Sequence, residues 1–250
     1  MSDTIWLIDR SRVVDGRGSC QRSRYTNYHA GPTGYGITMK GTKLPLMTGI
    51  AGHDGMAPIL QWCAEHDEEI QAAFAAPLEE GESLLPVPDQ IVRDAVAGAV
   101  AAYWKAIDAR GFAYMKDDQE VKDLTREQCY LIEGLIWAWC LEVLPDILQR
   151  ARIVEVEHDD TYVFDCSCGL GDGVLSVEDH NARECTGIGI MCKPDFIAEG
   201  RFTKELEYHE FKTTGQDGML FRDKWEIMVQ MFSATIDVER RLGRHVQTIY

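Results

Sequence analysis

The sequence predicts an α/β protein, and three changes in the spacing of its apolar residues carry that prediction. Between about residue 55 and Arg150, apolar side chains recur at the spacing of helices. From Ile153 the spacing changes to every second residue, which is typical of strands. A helical pattern returns over residues 221–242, before a strand-like end. We expect a helical region over about 55–150 and a mixed sheet flanked by helices over 151–250, within one domain of 250 residues.

The composition is that of a globular protein, with 45% hydrophobic and 26% charged residues. No window approaches 18 uninterrupted apolar residues, and the first 30 residues contain no apolar leader-like run. We therefore expect neither a membrane span nor a secretory signal. Since nothing in the chain indicates export, its eight cysteines are expected to be reduced thiols in a cytoplasmic protein.

Charge is distributed unevenly along the chain. The net charge of −16 argues against a nucleic-acid partner only as an average, because residues 1–43 hold seven Lys or Arg against three acids. In this basic segment, Arg22, Arg24 and Tyr25 combine cations with an aromatic ring, a mixture that suits phosphate contact and base stacking. The alternatives are a solvated loop with a few arginines and an amphipathic helix that packs its tyrosines inward.

Helices are expected over about 55–76, 91–110 and 126–150. His53 lies near the start of the first helix, and Pro145 should kink or end the third. Residues 77–90 contain three prolines and are predicted to form a linker, while the polar run 116–123 is predicted to be a solvated loop.

Two β-hairpins are expected in the sheet. The first pairs residues 153–158 with residues 161–164 through a turn at Asp159-Asp160. The second joins a short strand at 196–198 to a strand over 206–212, with a turn around Gly200. A last strand is expected over 245–250, after Gly243 has ended the preceding helix.

The second hairpin carries the charged residues that point to chemistry. Asp195 heads its first strand, and Glu210 and Lys212 project from one face of its second strand because side chains alternate along a strand. Two carboxylates and one ammonium group on a single face are costly to bury unless a cation and a substrate accompany them. The alternative is an exposed cross-strand ladder of ion pairs.

Context separates this set from similar strings elsewhere in the chain. Glu120-Val121-Lys122 repeats the Glu-x-Lys string, but in a run of charges without a strand pattern. Pro-Asp also occurs at Asp89 and Asp146. Only Asp195 is followed, one hairpin later, by Glu-x-Lys on a strand with apolar flanks.

Pro194-Asp195 together with Glu210-Phe211-Lys212 resembles the PD-(D/E)XK nuclease superfamily, in its RecB-like and lambda-exonuclease-like branch. That branch has a histidine on an N-terminal helix, matched by His53 in T-G-I-A-G-H, and a glutamine on the helix after the hairpin, matched by Gln230 in W-E-I-M-V-Q-M-F. The segment from Cys20 to Tyr25 is similar to the Cys-x-Arg-x-x-Tyr element of RecB-like members.

The resemblance implies a restriction-endonuclease-like core and a Mg²⁺ or Mn²⁺ site. It gives Asp195, Glu210 and the main-chain carbonyl of Phe211 as metal ligands, in line with the preference of these ions for oxygen donors. His53 would complete the shell. Lys212 would orient the attacking water or stabilise developing charge. Gln230 would position that water or the Lys212 side chain. Glu157 is a further candidate acid, and Glu155 remains an open alternative because the spacing places it on the same face.

The function implied by the resemblance is that of a metal-dependent deoxyribonuclease. We expect an exonuclease that hydrolyses phosphodiester bonds at double- or single-stranded DNA ends in recombination or repair. Many relatives are phage-encoded, which would place the protein in the host cytoplasm, and a homo-oligomer or a recombination partner protein would fit. The alternative is the same fold with a silent site, binding DNA or a protein.

The cysteines suggest two further cofactors. Some RecB-like nucleases carry an iron–sulfur cluster on one N-terminal and three C-terminal cysteines. Cys20 could be the first of these, but no cysteine follows Cys192, so we expect no such cluster. Cys166, Cys168, Cys185 and Cys192 could bind a structural zinc ion as four thiolates, and the alternative is four free thiols.

Overall fold

A computed structural model describes residues 5–8, 44–76, 85–109, 119–158, 160–169, 179–180, 183–211 and 235–250. The chain divides into two compact units. The first unit comprises Met1–Met39, His158–Pro194 and Thr214–Tyr250, and the second comprises Lys40–Glu157 and Asp195–Thr213. The predictions for Cys20, Arg22, Arg24, Tyr25, Lys212 and Gln230 concern positions outside the described residues.

Helices and strands both occur, so the α/β class is confirmed. The described helices are α1 (Leu44–Glu65), α2 (Asp67–Ala75), α3 (Asp89–Ala109), α4 (Gln119–Glu142) and α5 (Leu144–Arg150). The described strands are β1 (Ile5–Ile8), β2 (Ala151–Val156), β3 (Asp160–Cys166), β4 (Gly187–Cys192), β5 (Phe196–Gly200), β6 (Leu206–His209) and β7 (Val246–Ile249). Among these helices, none combines the length and the apolar character needed to cross a bilayer.

Helix α1 is central to the packing of the second unit. It contacts α3, α4 and β2, and its Ile59 and Leu60 are fully buried. A Cβ atom at Gly55 would lie 2.5 Å from Cδ1 of Ile136 and 2.9 Å from Cβ of Ala99, so only glycine permits this close approach of the helices. Helix α1 therefore holds a fixed position against its neighbours.

Helix α1 starts earlier than the sequence predicts. It begins at Leu44 and runs through Pro58, which places His53 in the middle of the helix instead of near its start. The glycines and the proline lower intrinsic helix propensity, but propensity is a weak prior that packing overrides. Here the packing of α1 on two helices and a strand stabilises the helix despite its glycines and proline.

The polar run also differs from its prediction. Helix α4 begins at Gln119, so the predicted loop is wrong over residues 119–123. Glutamine, glutamate and lysine are good helix formers, and a helix without an apolar stripe escapes detection by periodicity. Glu120-Val121-Lys122 is therefore helical, whereas Glu210 and Phe211 follow the end of β6. Pro145 lies in the first turn of α5, after a break at Val143, as predicted.

Strands β2, β5 and β6 of the second unit lie side by side in antiparallel order, and every residue of β5 is buried. The predicted second hairpin is β5–β6, but β5 continues through Gly200 and the turn follows it. The predicted strand over 206–212 is shorter than expected, because β6 ends at His209 and Glu210 lies just beyond it. Arg201 fixes this turn, because its main-chain N–H donates to the Arg150 carbonyl at 2.8 Å and its guanidinium pairs with Asp67.

The first unit contains a mixed sheet of order β1–β4–β3, in which β4 is parallel to β1 and antiparallel to β3. The predicted hairpin between residues 153–158 and 161–164 is wrong, because β2 pairs with β5 and β3 pairs with β4. Alternation shows that a strand exists but does not select its partner. Residues 235–242 are helical and Gly243, at φ +63°, follows them before β7, as predicted.

Candidate functional site

Three acidic residues are aligned at one edge of the second unit's sheet. The strand registers align Val156, Phe196 and His209. Continuing these registers by one residue places Asp195 between Glu157 and Glu210. On one side the main-chain N–H of Glu157 donates to the Asp195 carbonyl oxygen at 3.0 Å. The sequence-predicted acids are thus neighbours across three strand ends.

The Asp195 carboxylate joins helix α1 to the end of the hairpin. Its Oδ1 lies 2.9 Å from Nδ1 of His53, although 142 residues separate the two in sequence. Its Oδ2 accepts a hydrogen bond from the main-chain N–H of Phe211. The side chains of His53 and Asp195 are 23% and 13% exposed. The pair is therefore held by the protein yet accessible from solvent.

The Phe211 side chain anchors the segment that follows β6. Its ring centroid lies 5.2 Å from that of Trp139, 5.5 Å from that of Phe196 and 6.1 Å from that of His53. Aromatic pairs in such tilted and edge-to-face arrangements contribute about 0.5–1.5 kcal/mol each beyond their buried area. This packing fixes the main chain at 210–211 next to Asp195. No motif in the sequence indicates this role of Trp139.

Tyr208 holds the Glu210 carboxylate. The Tyr208 hydroxyl donates to Oε2 of Glu210 at 2.5 Å, and the tyrosine itself is fully buried. A hydrogen bond to a carboxylate is stronger than one between neutral groups, so it restricts the rotamers of Glu210. Sequence reasoning missed Tyr208, although the two-residue repeat of a strand puts residues 208 and 210 on one face.

The backbone distinguishes Glu157 from Glu155. Strand β2 has a register shift between Ile153 and Glu155, and Glu157 adopts a left-handed φ of 45°. A non-glycine residue in that region costs about 1–2 kcal/mol, and such strain clusters at functional sites. Glu155 pairs with Ile197 within the ladder, whereas Glu157 lies beside Asp195. The geometry therefore favours Glu157 as the additional acid.

His209 and Glu207 support the site from within β6. The His209 ring stacks on Phe196 at 4.2 Å, and burial lowers the pKa of His209. The hydrogen bond from His209, at 3.2 Å, lowers the pKa of Glu207, and the charge of Arg150 adds to that effect. Since Glu207 is also 3.2 Å from Arg150, the strand is tied to α5.

The oxygen-donor site consists of Glu157, Asp195 and Glu210 together with His53 and the main chain of Phe211. It offers part of the ligand set of a divalent cation. The 2.9 Å between Nδ1 of His53 and Oδ1 of Asp195 is the length of a direct hydrogen bond. It is also close to the about 3.0 Å that separates two adjacent ligands of an octahedral ion with bonds of about 2.1 Å. Magnesium is usually held by one or two carboxylates and keeps several waters. Among the described residues, only one set of three or more ligating side chains converges on a point. It is a different set, rich in sulfur, and not the one around Asp195.

That second set is the Cys/His cluster, formed by Cys166, Cys168, His180 and Cys185 of the first unit. It could hold a metal ion such as zinc, because its four ligand atoms lie within 4.8 Å of one another. The sequence predicted three of these ligands but named Cys192 as the fourth. Cys192 pairs with Asp160, six residues and about 20 Å along β3 from Cys166, so that prediction is wrong.

Two other cysteines illustrate a different environment. Cys63 and Cys140 are buried in the core of the second unit, and burial raises the pKa of each thiol to about 12. They are neutral apolar side chains at physiological pH. Burial and the neighbouring sulfurs of Cys166 and Cys168 raise the pKa of Cys185 to about 11, so a bound cation would be needed to hold this side chain as a thiolate.

Comparisons of this chain with family models, with curated proteins and with solved structures found no match.

Proposed function

We propose that this protein is a Mg²⁺- or Mn²⁺-dependent deoxyribonuclease with a PD-(D/E)XK core, acting as an exonuclease on DNA ends. The observation that carries the proposal is the Asp195 carboxylate, which meets His53 from helix α1 and the main chain of Phe211. An ion-pair ladder has no need of a histidine from a distant helix. The neighbouring acids Glu157 and Glu210 add the negative charge that a divalent cation requires.

Each residue of the proposed site has a separate role. His53, Asp195, Glu210 and the Phe211 carbonyl would hold the ion, and Glu157 would add a further carboxylate. The ion supplies positive charge that stabilises the scissile phosphate and makes a bound water more acidic. Lys212 would stabilise charge that develops on the phosphate, and Gln230 would orient the water or Lys212. The hydrogen bond from Tyr208 restricts Glu210 to one rotamer, so less side-chain entropy is lost when Glu210 binds the ion.

The proposal also covers how DNA reaches the site. A protein of net charge −16 repels a polyanion on average. We assign the local attraction to the basic N-terminal segment with Arg22, Arg24 and Tyr25, and the remaining charge balance to the metal ions. The cytoplasm is the proposed location, that of the host cell if the gene is carried by a phage.

The direct test is incubation of the full chain with end-labelled linear DNA and with closed circular DNA, in Mg²⁺, Mn²⁺ or EDTA. We expect linear DNA to be degraded with either ion and circular DNA to be spared. Lys212→Ala should abolish cleavage while leaving the far-ultraviolet circular dichroism spectrum unchanged. Lys122→Ala, in the helical Glu-x-Lys string, is the matched control and should cleave normally.

The outcomes separate the classes of protein. Cleavage of circular DNA would make the protein an endonuclease with the same chemistry. Binding of DNA without cleavage in any of the metal conditions would replace the proposal with a silent binding module. Full activity of Lys212→Ala would remove the site assignment itself.

A further inference from the structure

The Cys/His cluster brings four soft donor atoms to one point inside the first unit. Sγ of Cys166 lies 3.2 Å from Sγ of Cys168 and 3.1 Å from Nδ1 of His180, and Sγ of Cys168 lies 3.6 Å from that nitrogen. His180 is fully buried and Cys185 nearly so. Thiols are weak hydrogen-bond donors and acceptors, so they are poor partners for a buried imidazole.

The local main chain is built to present these side chains. The Gly169 N–H donates to the Cys166 carbonyl at 3.1 Å, and Gly169 has a φ of +68°, which closes a tight turn after Cys-x-Cys. On the other side, the Cys185 N–H donates to the His180 carbonyl at 3.0 Å. The Ser167 N–H donates to the Thr186 carbonyl at 2.8 Å and joins the two turns.

The separations fit one tetrahedral ion. Zinc–sulfur bonds of about 2.3 Å and zinc–nitrogen bonds of about 2.0 Å put neighbouring ligands about 3.5–3.8 Å apart. The separations of 3.2 and 3.1 Å from Cys166 are about 0.5 Å shorter, and the 3.6 Å between Cys168 and His180 already fits, so a bound ion would require an outward shift of Cys166. A disulfide between Cys166 and Cys168 is excluded, because its sulfurs would be about 2.0 Å apart. An iron–sulfur cluster binds its ligands on different iron atoms, which spreads them farther than the 4.8 Å found here.

An apolar side chain packs on the Cys/His cluster. Val163 is fully buried and groups with Cys185, and Cys166 and Cys168 pack against the two. Binding of a structural metal adds to the stability of the segment that holds its ligands.

We propose that Cys166, Cys168, His180 and Cys185 bind one structural Zn²⁺ ion that fastens the turn after β3 to the segment before β4. Three thiolates and one imidazole complete a tetrahedral shell, which leaves no open position for substrate. Each bound thiol gives up its proton to solvent, and the ion's two positive charges meet three negative ones. This zinc site shares no residue with the proposed nuclease site.

The test measures the metal content of the full chain after purification without metal-affinity steps or chelators. Elemental analysis should find one zinc ion per chain in the wild type and in Cys192→Ala. Cys168→Ala and Cys185→Ala should contain far less than one. Cys192→Ala is the matched control because it removes a buried cysteine from the same sheet without touching the cluster.

A second measurement covers variants that fail to fold. On addition of Co²⁺, wild-type protein stripped of zinc should show the visible absorption bands of one tetrahedral cobalt–thiolate site per chain, and Cys192→Ala should show the same bands. Absence of both zinc and cobalt binding in the wild type would overturn the proposal. So would iron with inorganic sulfide in the purified protein, or loss of zinc from Cys192→Ala.

Discussion

The oxygen-donor site of the second unit and the Cys/His cluster of the first unit are assembled in opposite ways. His53 and Asp195 are 142 residues apart and meet only because α1 packs on the sheet. The four cluster residues lie within 20 residues of sequence, on two short turns. The first site therefore depends on a fold that is already formed. The second is local, so that binding an ion there contributes to the folding of its own unit.

The difference also assigns different chemistry to the two sites. Carboxylate and water oxygens suit Mg²⁺ or Mn²⁺, which keep exchangeable positions for substrate, whereas three thiolates select a softer ion and close its shell. A sharp comparison follows, since changes in one site should alter catalysis and changes in the other should alter stability.

Among variants of the residues that the structure describes, the largest effect is expected from Asp195→Asn. The variant keeps the size of the side chain and an oxygen for the Phe211 N–H but loses the negative charge. DNA cleavage should fall at least about 10²–10³-fold, the loss typical for one group that stabilises the transition state. Initial rates on linear DNA at saturating Mg²⁺ measure it, and the zinc content should stay at one per chain.

Asp146→Asn is the matched control for that change. Asp146 also follows a proline but is exposed on α5, so its variant should keep full activity. If Asp195→Asn retained more than a tenth of wild-type cleavage, Asp195 would not be a ligand of the catalytic ion.

Removal of zinc should act on stability in a restricted part of the chain. With the ion gone, the turns that carry Cys166 and Cys185 keep the Ser167–Thr186 hydrogen bond but lose the link through the metal. Amide protons of β3 and β4 should then exchange at least roughly 30-fold faster, equivalent to about 2 kcal/mol. Amide protons of α1 and α3 serve as the internal control and should be unchanged. Hydrogen exchange with mass spectrometry, before and after chelation, measures both sets.

Adding Zn²⁺ or Mg²⁺ back to the stripped protein shows which ion protects β3 and β4 from exchange. Zn²⁺ should restore the protection of β3 and β4, and excess Mg²⁺ should not. Equal restoration by Mg²⁺, or loss of protection spread evenly over α1 and α3, would contradict a local zinc site.

The sequence predicted the hairpin of the oxygen-donor site well, for a physical reason. Asp195 and Glu210 flank strands whose pairing is local, joined by a short turn, so alternation and the turn residues were sufficient to find β5–β6. The partner of β2 was predicted wrongly because β5 is distant in sequence, and alternation alone contains no information about that choice. The start of α1 was missed for a similar reason. Its first turns are stabilised by tertiary packing, and local sequence contains no information about distant contacts.

Prediction of the Cys/His cluster failed at one ligand. The possible zinc set in the sequence prediction consists of four thiolates, Cys166, Cys168, Cys185 and Cys192, and His180 is not among them. The register of β3 with β4 decides the matter, since it places Cys192 at the far end of the ladder. A histidine five residues before Cys185 was the available signal, because mixed Cys/His sets are common in zinc sites.

A smaller effect tests which acid assists Asp195. Glu157→Gln removes a charge beside Asp195, and cleavage at limiting Mg²⁺ should fall about tenfold, equivalent to about 1.4 kcal/mol. Glu155→Gln is the matched control and should stay within about twofold, because Glu155 pairs with Ile197 inside the ladder. Cleavage rates over a Mg²⁺ titration measure both variants, and a reversed order would assign the acid to Glu155.

The smallest effect is expected from Tyr208→Phe, which tests whether ordering of a ligand is part of the oxygen-donor site. The change removes the hydroxyl that donates to Glu210 and leaves the buried ring. Losing a hydrogen bond to a charged group costs about 1.5 kcal/mol or more when both groups are buried, but Glu210 is only partly buried and water can replace the donor. We therefore expect the Mg²⁺ concentration for half-maximal cleavage to rise about threefold, with the rate at saturating Mg²⁺ nearly unchanged. A fall in the saturated rate with no change in the Mg²⁺ requirement would instead give Tyr208 a role in the chemical step, and the Cys/His cluster should keep its zinc in either case.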